Sequence, residues 1–149
     1  MDGAGAIAQK GIAMMRKRIA AVLAAFTVSL VAVLGFASPA MAAETNYAVD
    51  ADWNGDCTQR VYLPNVDGCV EPDGDILWVK DNVANGYAVM LRWYDEDGDR
   101  SGECIDNLGQ AKAWTVCNKD LPEGHDIRWS VGWNSANGWD YSDWQRTRV

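Results

Sequence analysis

Trp133-Asn-Ser-Ala-Asn-Gly-Trp139-Asp-Tyr141-Ser-Asp-Trp144 is the stretch of this 149-residue chain best equipped to bind something. It interleaves large rings with amides and carboxylates. A ring offers flat apolar area, and the Asn and Asp beside it offer hydrogen bonds at the rim, which suits the faces and hydroxyls of a sugar. Protein interfaces are enriched in the same aromatic residues. Trp133, Trp139, Tyr141 and Trp144 are therefore the candidate ligand-binding residues, with an extracellular protein or a glycan as partner. The competing reading keeps Trp133 and Trp144 as packing residues and lets Trp139 and Tyr141 cover a loop.

Two acidic loops carry a spacing that a hard cation uses. Asp50-Ala-Asp52-Trp-Asn54-Gly55 matches the first half of a calcium loop, with oxygens at alternate positions and a glycine for the sharp turn. Its twelfth position is Val61 rather than the bidentate glutamate, and Cys57 falls inside it. Asp95-Glu-Asp97-Gly-Asp99 repeats the alternation with the glycine one position early, and Glu103 and Asp106 follow within reach. Calcium is the one cofactor suggested, at Asp50, Asp52 and Asn54 or at Asp95, Asp97 and Asp99. Each loop also reads simply as a solvated acidic turn.

Catalysis is poorly provided for. Twenty acidic residues follow residue 42, so a carboxylate pair for glycoside hydrolysis has no specificity, and none lies in an apolar setting that would raise one pKa. Ser101, Ser130, Ser135 and Ser142 have only His125 as a base, and Glu123-Gly-His-Asp126 reads as a surface turn. No nucleotide loop appears. The chain reads as a non-enzyme.

Cys57, Cys69, Cys104 and Cys117 must staple whatever positions these groups. An even count, no Cys-x-x-Cys and a single histidine point to disulfides rather than zinc. Four cysteines allow three pairings. Proximity in sequence favours 57–69 and 104–117, each contributing about 3 kcal/mol through the unfolded state.

The N-terminus bears on compartment. Arg16, Lys17 and Arg18 precede an uncharged apolar run over residues 19–36; Pro39 breaks the helix, and Ala40-Met41-Ala42 supplies small residues for cleavage. That is the order of a secretory signal peptide, with an uncleaved membrane anchor as the alternative. Cleavage after Ala42 leaves residues 43–149, a single secreted domain of 107 residues whose modest core would gain from staples. It removes one acid, Asp2, and four bases, Lys10, Arg16, Lys17 and Arg18, so the net charge moves from −8 to −11. Such a surface disfavours nucleic acid, anionic lipid and acidic polysaccharide, suits solubility outside the cell, and leaves no membrane contact after cleavage. A monomer is expected. Both phenylalanines leave with the signal while all eight tryptophans stay, so some indoles must be partly exposed.

Helical spacing is nearly absent. Short strands are expected over residues 47–49, 60–63, 76–79, 87–94, 111–116, 126–133 and 144–149, with Asp67-Gly68, Pro72-Asp-Gly74 and residues 81–86 and 118–124 as turns or connections. The run 76–79 is apolar enough to be buried on both faces. Tyr87, Val89, Leu91 and Trp93 share one face of their strand, and Ile127, Trp129, Val131 and Trp133 share one face of theirs. Residues 95–103 read as an acidic turn, so residues 87–117 look like a hairpin pinned by Cys104 and Cys117. The expected fold is all-β: a small antiparallel β-sandwich or barrel-like sheet pair with two disulfides, preceded by a signal-peptide helix.

Asp99-Arg100-Ser101-Gly102-Glu103-Cys104, Gly109, Cys117-Asn118 and Glu123-Gly124 give the part from residue 91 to 144 a pattern that resembles small secreted proteins common in actinomycetes. Those are mostly without assigned function, so the resemblance implies a secreted β-fold with a 104–117 bridge and no activity. Some carry a further cysteine pair in the last third; this chain has none there, and Cys57 and Cys69 fall outside the match. The leading expectation is a secreted, tryptophan-rich, acidic binding or interaction module. A carbohydrate-binding accessory module, with calcium as a staple, comes second, and a secreted hydrolase or hydrolase inhibitor third.

Overall fold

The computed structural model describes residues 42–149. The signal-peptide reading of residues 1–42 lies outside them, Ala42 excepted. Among the described residues there is no α-helix and there are eleven strands: β1 (Glu44–Tyr47), β2 (Val49–Ala51), β3 (Arg60–Tyr62), β4 (Val66–Glu71), β5 (Ile76–Asp81), β6 (Val89–Asp95), β7 (Ser101–Asp106), β8 (Trp114–Asn118), β9 (Asp126–Ser135), β10 (Gly138–Tyr141) and β11 (Gln145–Arg148). They form two sheets. The larger runs β1-β7-β6-β9-β10, with β11 also on β9; the smaller runs β2-β8-β5-β4-β3. All pairings are antiparallel except β1 with β7.

Period-two alternation builds the core between the sheets. Leu91 and Trp93 of β6, Ile127, Trp129 and Val131 of β9, and Val66, Val70, Leu77 and Val79 of the smaller sheet are all fully buried. Burial of this kind stabilises by roughly 1.5–3 kcal/mol per large side chain. The strand of residues 76–79 is buried on both faces, as its sequence implied. Leu77 and Val79 face the sandwich, while Trp78 faces outward beneath Trp53 and Trp114, at ring-centroid distances of 4.8 and 6.2 Å. The loop carrying Trp53 is held there by Cys57–Cys69. Gly55 lies on the Trp78 indole so closely that a Cβ would stand 2.8 Å from its ring nitrogen.

Both expected cysteine pairs form, and none is left free. The hairpin reading of residues 87–117 needs correcting. The hairpin is β6–β7: β6 continues to Asp95, and β7 begins at Ser101, inside the stretch read as a turn. Trp114–Asn118 lies in the other sheet, so Cys104–Cys117 joins the two sheets instead of pinning one hairpin. Tyr87 is exposed and precedes its strand.

The first strand is also two strands. β1 lies on β7 in the larger sheet, β2 lies on β8 in the smaller, and buried Ala48 turns the corner by donating its N–H to the Ile105 carbonyl at 2.8 Å. Residues 44–51 and the inter-sheet disulfide thus close the same side of the sandwich. Glu44 bolts β1 down through Arg100 (2.9 Å) and Lys119 (2.8 Å). Burial pushes the Glu44 carboxyl up, but the bonds from Arg100 and Lys119 outweigh it and hold the pKa below its ordinary 4.5.

Candidate functional site

β9 is long enough to carry two short partners on one edge. Its residues 132–135 pair with β10 and its residues 126–129 with β11. From Tyr141 to Gln145 the edge strand advances four residues while β9, from Gly132 to Trp129, advances three. That extra residue is a β-bulge, and a bulge reverses which face later side chains point to. Ser142 anchors it: its N–H donates to the Val131 carbonyl at 2.9 Å, and its hydroxyl accepts from the Val131 N–H at 3.1 Å. Three positions apart on a regular strand, Tyr141 and Trp144 would face opposite ways. The bulge brings both to the outer face of the larger sheet.

On that face Trp139, Tyr141 and Trp144 meet residues the sequence reading had not gathered. Arg92 of β6 stacks its guanidinium 3.6 Å from the Tyr141 ring centroid and 4.3 Å from that of Trp144. Arg128 of β9 lies 4.8 Å from Trp144 and 5.4 Å from Tyr94. Tyr94 and Trp144 meet edge to face at 5.4 Å, and Trp139 lies near-parallel to Tyr141 at 6.4 Å. Guanidinium planes and aromatic rings therefore alternate along the face, each exposed contact of this kind being worth roughly 0.5–1 kcal/mol. Gly132 makes the close approach possible: a Cβ there would stand 2.8 Å from Tyr141. Trp144 remains 39% exposed and Tyr94 42%.

Arg92 is held in a fixed pose. Its Nε donates to the Ser130 hydroxyl at 2.7 Å, and rings cover its plane. Arg128 and Arg146 pair with Glu96, Arg148 with Asp126 and Arg100 with Glu44. Among the described residues Arg92 has no ion-pair partner, although Glu103 stands directly across from it on β7. Arg92, Tyr94, Ser101, Glu103, Tyr141 and Ala43 line a cleft of about 110 Å3.

Trp133 does not join this face. It shares the inner side of β9 with Trp129 and Val131 and packs partly buried against the core, as the alternation of residues 126–133 requires. The two acidic loops lie apart. Asp50 pairs with Lys112 at 2.7 Å, and Asp52 and Asn54 are exposed. Asp95 is buried; its carboxylate accepts the Asp97 N–H at 3.1 Å and lies 2.9 and 3.0 Å from His125 Nδ1. Asp97 accepts the Asp126 N–H at 2.8 Å, and Asp99 is exposed. His125, read as a plain surface-turn histidine, thus ties its turn to the β6–β7 hairpin. Among the described residues no group of three or more His, Cys, Asp or Glu is arranged to hold a metal.

Arg92, Tyr94 and Arg128 were within reach of the sequence. They are the outward positions of two strands whose inward faces the alternation identified. Their meeting with Trp139, Tyr141 and Trp144 was not, because it depends on the bulge. Comparison with protein-family models, with curated proteins and with solved structures returns no match.

Proposed function

We propose that this is a secreted, non-enzymatic binding module whose partner surface is the outer face of the larger sheet. The observation that supports the reading is the alternation of Trp139, Tyr141, Arg92, Trp144, Arg128 and Tyr94 on one exposed face. Binding energy at interfaces concentrates on Trp, Tyr and Arg, and here all three share one exposed face. Two disulfides with no free cysteine suit an oxidising compartment. Among the described residues no helix is long and apolar enough to cross a membrane.

The test compares the native protein with a Trp139→Ala, Trp144→Ala double variant. Both are offered extracellular proteins and a panel of insoluble polysaccharides. The variant should keep its cooperative unfolding and lose binding by about 100-fold, each ring contributing about 1.4 kcal/mol. Undiminished binding by a folded variant would end the proposal. A glycan as partner is the second reading, favoured by the cleft beside the Tyr141 ring, where Ser101, Glu103 and Arg92 stand next to aromatic area. Depletion onto one polysaccharide with quenching of indole fluorescence would select it over a protein partner.

Calcium is not needed for this reading. Asp95 and Asp97 already accept hydrogen bonds from protein donors, and Asp50 is paired with Lys112. Adding millimolar calcium, or a chelator, should leave the melting temperature where it is. A ligand that binds only the folded state raises that temperature, so a calcium-dependent rise would return a cation to one of the loops.

A further inference from the structure

Arg92 is conspicuous in a chain so rich in carboxylates. After residue 42 acids outnumber bases by twenty to nine, yet among the described residues this guanidinium has no carboxylate at ion-pair distance; Arg60 has none either, but its terminal nitrogens donate to the Tyr62 hydroxyl and the Gly55 carbonyl. It is not loose: Ser130 fixes Nε, and the Tyr141 and Trp144 rings fix the plane. Its terminal nitrogens make no hydrogen bond among the described residues, and the residue lines the cleft. A planar fork of unpartnered donors, pre-oriented between rings, matches a carboxylate. The Glu103 carboxylate on the same wall also makes no hydrogen bond or ion pair among the described residues, and it supplies acceptors only. The Ser101 hydroxyl lies beside it in the cleft.

Resting on the binding reading above, we infer that the cleft takes a carboxylate flanked by a hydrogen-bond donor. The carboxylate sits on Arg92, and the neighbouring hydroxyl or ammonium on Glu103 and Ser101. Uronic acids and α-amino acids share that chemistry. Glu103 discriminates against a bare anion, whose charge it repels, and Arg92 against a neutral sugar, which leaves the fork unpaired. The net charge of −11 after residue 42 works against a polyuronate, so the occupant is a free monomer or a single acidic residue of an otherwise neutral ligand.

Four probes separate the cases: glucuronate, L-alanine, acetate and glucose, each titrated against the oxidised protein. Indole fluorescence reports binding, because Trp144 lies on Arg92, and the Arg92 Nε–H resonance gives a second readout. Glucuronate or alanine should bind about tenfold more tightly than acetate or glucose, and the one that binds names the source. Arg92→Gln should weaken that binding about tenfold or more, and Glu103→Gln should abolish the advantage over acetate. No response to either glucuronate or alanine overturns the inference, as does equal binding of glucose or undiminished binding by a folded Arg92→Gln variant. Macromolecular binding that needs Trp139 and Trp144 without any carboxylate response rejects the cleft and keeps the face. Arg92-dependent carboxylate binding alongside macromolecular binding that ignores the face does the reverse.

Discussion

Replacing Cys104 and Cys117 together with alanine is expected to lower the stability of the folded domain by about 3 kcal/mol. The bridge spans thirteen residues, and closing that loop in advance removes conformational entropy from the unfolded chain. Its placement adds to the effect. Cys104 is on β7 and Cys117 on β8, with Cα atoms 5.8 Å apart, so the bond ties one sheet to the other where β1 and β2 change sheets. Alanine leaves no polar atom in the vacated space. A Tm drop of more than about 10 °C should follow for a domain of this size.

The same change at Cys57 and Cys69 has a different signature. That bridge holds a loop over Trp78 and Trp114 on the outside of the smaller sheet. Its loss should free Trp53 and red-shift its fluorescence before the sandwich unfolds. Urea unfolding followed by indole emission and by far-ultraviolet circular dichroism separates the two cases. A Cys104→Ala, Cys117→Ala protein within about 1 kcal/mol of the native one would remove the inter-sheet bridge from its structural role.

Asp106→Asn is expected to stabilise the protein at neutral pH by removing a buried charge, and to do so less as the pH falls. Asp106 ends β7 with no exposed surface, and Asp81, only 2% exposed, ends β5 nearby. Each closes the turn after its strand, Asp106 accepting the Leu108 N–H at 2.9 Å and Asp81 the Val83 N–H at 2.8 Å. Asp106 Oδ2 has no hydrogen-bond partner. Burial pushes the Asp106 carboxyl above its ordinary 3.8, and the Asp81 charge adds to the rise, against the Leu108 N–H that bonds its other oxygen. Asparagine keeps an oxygen for Leu108 and removes the buried charge.

The direction with pH follows from linkage. The folded state holds the Asp106 proton more tightly than the unfolded state does. The group's stabilising share is therefore fully present below the unfolded pKa and is lost as pH rises through the folded one. Glu44 runs the other way: its lowered pKa contributes stability above its unfolded value, lost as pH falls through the folded one. Absolute stability thus mixes the two. The difference between Asp106→Asn and the native protein isolates Asp106, and it should shrink toward zero below about pH 4, where the native carboxyl is protonated in both states. Midpoints of urea unfolding at about pH 3 and pH 7 measure it. A difference that does not change with pH would assign the effect to packing rather than to charge.

The sequence by itself determined the class of this protein and much of its core. Alternation in residues 89–93 and 127–133 named the buried faces, because a strand repeats every two residues whatever lies against it. The four cysteines paired as their proximity suggested, since short loops close most readily. Only the tertiary structure decided what those local signals become together. Cys104–Cys117 has the same spacing whether it pins a hairpin or joins two sheets; the switch to the smaller sheet between β7 and β8 settles it. Trp133, Trp139, Tyr141 and Trp144 are one cluster in sequence and two faces in space. Parity turns Trp133 inward, and the one-residue bulge before Gln145 brings Trp144 back beside Tyr141. Arg92 reaches Tyr141 and Trp144 from 49 and 52 residues away along the chain, and Arg128 reaches Trp144 from 16. Pairing register is a property of two strands at once, and no single stretch of sequence carries it.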